Sequence, residues 1–215
     1  MSEYLNMKEQ ILLVGAGGHA KACIDVIEQE GRFEIYGLIG RKSEVGSNIL
    51  GYPVCGSDSD LKFLSSKVSN ALVTIGQIKT AENRESIYTK LINYGFDLPT
   101  VVSPNAYVSN HARLGKGSII MHGVVVNSGA VIGNNTILNS MSLVEHDSSV
   151  GNHCHISTGA RLNGGVSIGN SVFVGSGAVV RQGIYIGDSS VIGMGQLVSN
   201  DYTICSKLPN PRGKE

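Results

Sequence analysis

Aliphatic residues recur at every sixth position through the second half of the chain. Counted from Val102 in steps of six, eighteen successive positions ending at Ile204 are all Ile, Leu or Val. The next position is often Gly, and the position four places after the aliphatic residue is usually small or β-branched. A period of six fits neither a helix nor the two-residue alternation of a strand, but it is typical of a solenoid whose flat sides are hexapeptides. Three sides close a triangular coil, so we predict stacked coils about 4.8 Å apart around a column of aliphatic side chains.

The first hundred residues alternate apolar strands with helical patterns instead. The segment ILLVGAGGHAKACIDVIEQ, residues 11–29, is an apolar strand, a glycine-rich turn and a helix with Ala22, Val26 and Ile27 on one face. This alternation predicts parallel βαβ units, with a domain of residues 1–100 and a second of residues 101–215. The further predicted elements are a strand at 35–39, a helix around 61–64, a strand at 71–76, a helix at 81–95 and a short strand near 99–102.

Composition and charge limit the partners. The formal net charge is zero and charged residues make up 16% of the chain, without a long run of Lys or Arg, so we expect neither nucleic acid nor an anionic membrane as partner. The first ten residues are polar and no apolar stretch approaches about 18 residues, which favours a cytoplasmic protein. The cysteines are far apart and are predicted to be buried thiols: Cys23, Cys55, Cys154 and Cys205.

The glycine-rich turn, Gly15–Ala20, fits the pattern G-x-G-x-x-A between a strand and a helix. Backbone N–H groups at such a helix start attract phosphate, and the glycines allow close approach. A dinucleotide site also needs an Asp or Glu about twenty residues further on, but the second strand ends with Ile39, Gly40 and Arg41. With no room for a second mononucleotide half, we predict a single nucleoside diphosphate rather than NAD. A turn that serves only packing stays open as the alternative.

Three of the six histidines lie within NSMSLVEHDSSVGNHCHISTG, residues 139–159. Their spacing contains no H-x₄-H pair of the kind found in the γ-type carbonic anhydrases, so we expect no metal here. Residues eighteen apart stack on successive coils, which puts His146 against Gly164. The adjacent Asp147 is placed to accept the second ring N–H of His146, which fixes the tautomer and raises the basicity of the ring. Histidines that are idle on a solenoid surface are the alternative.

The features that carry a family resemblance are GAGGHAK, a strand ending near residue 40, LVTIG, the hexapeptide solenoid and LNSMSLVEHDSSVGNHCHISTGARLNGGVSIG. With this combination, the chain resembles the sialic-acid O-acetyltransferase and PglD-type sugar N-acetyltransferase (PglD/NeuD-like) family over nearly its whole length. The resemblance implies an α/β Rossmann-like N-terminal domain followed by a left-handed parallel β-helix. It also implies a homotrimer that uses acetyl-CoA as co-substrate, without a metal. The implied reaction is acetylation of the amine of a nucleotide-linked 4-amino-4,6-dideoxy sugar.

The resemblance also assigns roles in the transfer site. His146 matches the general base, Asp147 stands where PglD-type enzymes have a supporting Glu, and Asn139 matches a residue near the sugar amine. The backbone N–H of Gly164 is expected to face the thioester oxygen. The residues that match acetyl-CoA contacts are His155, Gly164, Ser176 and Met194.

In the first domain, the residues that match nucleotide contacts are Gly17, Gly18, His19 and Gly76. Gly40 and Arg41 replace the Asp pair of PglD-type enzymes, so the identity of the nucleotide is not inherited, and Arg41 becomes a candidate phosphate contact. The tail at 208–212 departs from the family pattern G-x-P-A-[KR], which puts its contact with pantetheine in doubt.

Three other functions remain compatible with the sequence. The same base is able to acetylate a hydroxyl of a sialic acid or related sugar, in which case no nucleotide is required. The chain is also compatible with a noncatalytic scaffold that binds a nucleotide sugar, and with a zinc hydratase.

Overall fold

The computed structural model describes residues 8–203. The N-terminal region forms a sheet with helices on both sides. Its strands are β1 (Glu9–Val14), β2 (Phe33–Ile39), β3 (Asn48–Ile49), β4 (Tyr52–Gly56) and β5 (Asn70–Val73). Its helices are α1 (Gly18–Glu30), α2 (Leu61–Leu64) and α3 (Glu82–Asn93), and single 3₁₀ turns lie at Lys42–Glu44 and Asp58–Asp60.

The sheet order is β3-β4-β2-β1-β5, in which β4, β2, β1 and β5 run parallel and β3 pairs antiparallel with β4. On β1, Ile11 and Leu13 share a core with α1, whereas Leu12 and Val14 share another with α2 and α3. This is one half of a doubly wound sheet, so the carboxyl ends of its parallel strands meet at one edge, where such folds bind ligands.

Three details correct the sequence-based predictions. The hairpin of β3 and β4 is not predicted, because Gly51 and Pro53 interrupt the strand pattern there. Ala22 is exposed, and the buried face of α1 is made instead by Ala20, Cys23, Ile24, Val26 and Ile27. Cys55 is exposed whereas Cys23 and Cys154 are buried. Cys205 lies outside the described residues.

The second region is a three-sided parallel β-helix. We call the side on which the N-terminal region docks the first face, and the next two along the chain the second and third faces. The first face consists of β6 (Val101–Val102), β9 (Ile119–Ile120), β12 (Ile137–Leu138), β15 (His155–Ile156), β18 (Phe173–Val174) and β21 (Val191–Ile192). The second face consists of β7 (Tyr107–Val108), β10 (Val125–Val126), β13 (Leu143–Val144), β16 (Arg161–Leu162), β19 (Val179–Val180) and β22 (Leu197–Val198). The third face consists of β8 (Arg113–Leu114), β11 (Val131–Ile132), β14 (Ser149–Val150), β17 (Ser167–Ile168) and β20 (Tyr185–Ile186).

Strands on each face pair with the strands one coil away, eighteen residues along the chain, as Val126 pairs with Val144 and Val144 with Leu162. From Ile120 to Val198 every sixth residue is buried, whereas Val102, Val108 and Leu114 in the first coil are partly buried. Each such side chain, removed from water, contributes about 1.5–3 kcal/mol. Ile204, the last residue of the six-residue series, lies beyond the described part of the chain.

The turns between faces form three edges. The first edge joins the first face to the second, the second edge joins the second to the third, and the third edge joins the third back to the first.

None of the helices within residues 8–203 is long and apolar enough to cross a membrane.

Arg84 of α3 holds the two regions together. Its side chain is 2% exposed and donates hydrogen bonds to the backbone oxygens of Asn135, His153 (3.3 Å) and Cys154 (3.4 Å), all on the third edge. It also donates to Oε1 of Gln77 at 2.8 Å. Burial lowers the pKa of Arg84 to about 10, which still leaves it charged at neutral pH. The charged guanidinium of Arg84 therefore lies in the seam between the two regions, and its hydrogen-bond acceptors are mainly carbonyl oxygens.

Candidate active site

A pocket of about 660 Å³ lies at the carboxyl edge of the N-terminal sheet. The glycine-rich turn after β1 forms one wall, and the segments after β2, β4 and β5 form the others. The four residues that the family resemblance matches to nucleotide contacts, Gly17, Gly18, His19 and Gly76, all line it, as do Gly40 and Arg41.

The start of α1 leaves its first amides available to a ligand. Gly17 caps the helix without a side-chain hydrogen bond, and the first turn carries no acidic residue. Apart from the adjoining residues and the backbone of α1 itself, no atom lies within 4 Å of the place where a Cβ would project from Gly17 or Gly18, so the approach to these amides is open. Gly15 adopts a φ of +129°, where a Cβ would lie 2.6 Å from Cγ1 of Ile75. The turn is thus built for close approach of an anionic group to a helix N-terminus.

Sequence reasoning missed part of this pocket. The sequence signal for the residues after β4 is the polar run GSDSD at 56–60, which follows a strand that the alternation of elements does not predict. The additional polar lining residues are Lys42, Glu44, Ser57, Asp58, Ser59, Thr74 and Asn83.

Two imidazoles lie where this region meets the β-helix, that of His155 buried and that of His19 partly buried. His19 and His155 have ring centroids 6.1 Å apart, and burial lowers the pKa of each to about 4, so both are neutral at physiological pH. The ring of His155 is fully engaged. Its Nδ1 lies 2.9 Å from the carbonyl oxygen of Gln77 and therefore carries the hydrogen, and its Nε2 lies 3.2 Å from Nδ2 of Asn139.

His146 has very different surroundings, on the second edge. Its side chain is 65% exposed, and its Nδ1 lies 2.9 Å from Oδ2 of Asp147. Since a carboxylate only accepts, Nδ1 carries the hydrogen and Nε2 is left as the basic nitrogen. The hydrogen bond that Nδ1 donates to Asp147 raises the pKa of His146. Asp147 adopts a φ of 58°, a left-handed conformation that Asp tolerates better than most residues.

The ring of His146 lies over Gly164 on the next coil, as the eighteen-residue spacing predicts. A Cβ on Gly164 would lie 2.6 Å from Nε2 and 2.7 Å from Cε1 of His146, so only glycine leaves room for the ring. The groove beside this pair is lined by Glu145, His146, Asn163, Gly164, Arg181 and Gln182.

The residues assigned to the transfer site divide between two edges of one chain. His146, Asp147 and Gly164 lie on the second edge, whereas Asn139, Ser176 and Met194 lie on the first. Met194 is 82% exposed. Within one chain the second face separates the two groups, and His155 lies on the first face. The tail at 208–212 lies outside the described residues.

Neither a thiolate nucleophile nor a metal cluster accompanies His146 in the described part of the chain. Cys154 is 0% exposed, and burial raises its pKa to about 12, so its thiol stays protonated. Within residues 8–203 no three His, Cys, Asp or Glu side chains come together in a group that would hold a metal ion. The arrangement is that of a positioned base next to a bare backbone, which suits direct transfer to an incoming nucleophile.

Family models match both regions. The PglD N-terminal domain matches residues 10–91, and the hexapeptide repeat of succinyl-transferase matches residues 110–140 and 165–199. No curated protein sequence matches the chain significantly.

Solved structures match nearly the whole chain. A histidine-to-asparagine mutant of perosamine N-acetyltransferase from Caulobacter crescentus, in complex with CoA and GDP-perosamine, is 33% identical over 90% of both chains, with a TM-score of 0.85. A histidine-to-alanine mutant of that enzyme, with the same two ligands, matches equally well. The acetyltransferase domain of PglB from Neisseria gonorrhoeae, in complex with acetyl coenzyme A, is 29% identical over 91% of this chain and 93% of its own, with a TM-score of 0.83.

These matches account for both halves of the architecture, and the three-sided solenoid is the left-handed β-helix of hexapeptide-repeat acyltransferases. The chain belongs to the PglD/NeuD-like family of sugar acetyltransferases.

Proposed function

We propose that this protein transfers the acetyl group of acetyl-CoA to the amine of a nucleotide-linked amino sugar, with a 4-amino-4,6-dideoxy sugar as the acceptor. The observation that carries the proposal is the position of Nε2 of His146 over the bare α-carbon of Gly164, with Nδ1 held by Asp147. The relatives with bound CoA and GDP-perosamine support the same pair of substrates.

The nucleotide binds in the pocket of the N-terminal region, with its diphosphate over the amides of Gly17 and Gly18. The open space above these glycines and the lack of an acidic residue in the first turn of α1 support this placement. Arg41, at the rim, supplies a cation for the phosphates. The sugar then extends out of the pocket toward the β-helix.

His146 acts as the general base. The amine lone pair attacks the thioester carbonyl carbon, and Nε2 accepts the proton that the nitrogen loses. The C–S bond then breaks, and the sulfur leaves with that proton as the free thiol of CoA. A base in this position accelerates transfer by about 10²–10⁴. The backbone N–H of Gly164, which has no acceptor within residues 8–203, donates to the oxyanion.

We also propose a cyclic homotrimer in which the first edge of one chain meets the second edge of its neighbour. This arrangement joins Asn139, Ser176 and Met194 of one chain to His146 and Gly164 of the next, and it encloses an acetyl-CoA groove between two prisms. Exposed apolar side chains on the first edge and second face support such a contact, namely Tyr107, Met141, Met194 and Leu197. Light scattering should give three times the chain mass of 22.7 kDa. A monomer with full activity would contradict the composite site.

The substrate is tested by incubating the protein and acetyl-CoA with UDP-, GDP- and dTDP-linked 4-amino-4,6-dideoxy sugars and with free sialic acid. Mass spectrometry should show the gain of one acetyl group on a nucleotide-linked amino sugar, at nitrogen. A gain on free sialic acid alone would overturn the proposal in favour of O-acetylation, and no gain with any acceptor would favour a noncatalytic scaffold.

Since both proposed substrates are made inside cells, we place the reaction in the cytoplasm.

A further inference from the structure

An acidic side chain lies at the end of β2, although no Asp or Glu directly follows this strand in the sequence. Residues 41–48 are exposed apart from Glu44 and include the 3₁₀ turn Lys42–Glu44. The turn brings the carboxylate of Glu44 back to the strand end, where Oε2 accepts a hydrogen bond of 2.7 Å from the backbone N–H of Arg41.

Gly40 makes this return possible. A Cβ on Gly40 would lie 2.9 Å from Oε2 of Glu44, 3.0 Å from Cγ1 of Val54 and 3.1 Å from Cβ of Ala16. The carboxylate therefore lies in the space that a larger residue at position 40 would fill, next to the glycine-rich turn.

The position of the carboxylate is fixed by the backbone around it. Gly46 donates to the oxygen of Val54 at 3.0 Å, and Val54 donates to the oxygen of Ser47 at 2.9 Å, so the segment after the turn is tied to β4. Glu44 lines the pocket, and its Oε1 has no hydrogen-bond partner among the residues that the structure describes. One carboxylate oxygen holds the turn while the other remains available to a ligand.

In folds of this kind, an acid at the end of the second strand accepts hydrogen bonds from ribose hydroxyls when the phosphates lie on the first glycine-rich turn. We propose that Glu44 fills that role and selects a ribonucleoside diphosphate over its 2′-deoxy counterpart. This inference rests on the proposed function, since it concerns the nucleotide part of the same substrate. It implies that UDP- or GDP-linked sugars are acceptors and that dTDP-linked sugars are poor ones.

The chain contains a matched control for the alternative that Glu44 only caps its turn. After β4, Oδ2 of Asp60 lies over Gly56 and accepts a hydrogen bond of 2.8 Å from the backbone N–H of Ser57. This is the same device one strand along, but Asp60 does not line the pocket. Loss of either carboxylate removes a turn cap, whereas only loss of Glu44 removes a ribose acceptor.

The test is calorimetric binding of GDP, 2′-deoxy-GDP, UDP and 2′-deoxy-UDP to the wild type, E44A, E44Q and D60A. The wild type should prefer the ribose form of whichever base binds by about 10- to 100-fold, the range expected for a hydrogen bond to a charged acceptor. E44A should abolish the preference, and E44Q should reduce it, because a neutral acceptor is about half as strong. D60A should keep it.

Equal binding of the ribose and deoxyribose forms by the wild type, or a preference that survives in E44A, would overturn the inference. A parallel loss of preference in E44A and D60A would do the same, because it would assign the effect to capping. These results leave acetyl transfer to an amino sugar intact. By contrast, failure of the proposed function appears as absent transfer with every nucleotide-linked amino sugar.

Discussion

The N-terminal pocket and the second edge of the β-helix each hold a histidine, but in opposite surroundings. His19, in the pocket wall, is partly buried, and its loss of contact with water lowers its pKa to about 4. His146 is 65% exposed, and its pKa is raised by the hydrogen bond to Asp147. One chain thus completes the concave pocket, whereas the base lies on an open edge that needs another surface to exclude water. Substrate binding and proton transfer should therefore be separable by mutation.

The largest separation is expected from H146A. Removal of the base should lower kcat by about 10²–10⁴, while binding of a nucleoside diphosphate stays unchanged because the pocket lies in the other region. Steady-state release of free CoA thiol and calorimetry measure the two quantities. H111A, an exposed histidine on the same edge two coils earlier, is the control and should keep wild-type kcat. A matching loss of nucleotide affinity in H146A would contradict the separation.

R84A tests whether the buried guanidinium stabilises the contact between the two regions. Because the guanidinium satisfies several buried carbonyl oxygens at once, its loss should lower the free energy of unfolding by about 3 kcal/mol, measured by urea denaturation. K90A, an exposed residue of the same helix with a 4.0 Å ion pair to Asp58, should change it by less than about 1 kcal/mol. Equal effects of the two substitutions would show that the buried cation does not hold the seam.

G164A tests the geometry of the His146 edge without changing its charges. The added methyl group would meet Nε2 of His146 at 2.6 Å and displace the ring, and a displacement of about 1 Å costs about 10²-fold in kcat. G187A adds a methyl group to the same β-helix at an ordinary distance, with its nearest neighbour, Thr203, 3.5 Å away, so it should leave kcat near the wild-type value. Nucleotide binding should be the same in both variants.

The sequence predicts the repetitive region better than the pocket, for a physical reason. In the β-helix, the position of a residue in the repeat determines its position in space. The place of His146 over Gly164 therefore follows from their separation of eighteen residues, which is one coil. In the N-terminal region, the missed strand β4 carries a proline, and Glu44 reaches the end of β2 only because a 3₁₀ turn reverses the chain. The burial of Arg84 does not follow from the sequence for a related reason, since a charged residue in a helix is normally exposed and this burial depends on the docking of the two regions.

The smallest effect concerns the pH dependence of the exposed base. His146 accepts a proton only when its ring is neutral, so kcat/KM should rise with pH through the pKa of the ring. Asp147 raises that pKa, and therefore moves the acidic limb of the profile to higher pH. D147N removes the negative charge and keeps a residue that tolerates the left-handed conformation, so its acidic limb should move to lower pH.

The rate of D147N on its plateau should fall by less than that of H146A, because the base is still present but less firmly oriented. D188N changes an exposed carboxylate on the third edge, whose Oδ1 accepts from the backbone N–H of Asn170, and should leave the profile in place. A D147N profile that coincides with the wild type would mean that substrate or a neighbouring chain, rather than Asp147, sets the pKa of His146 during turnover. The comparison of the two regions would then change: the environment of the base would be supplied by bound substrate or by assembly, whereas burial within one chain sets the pKa of His19.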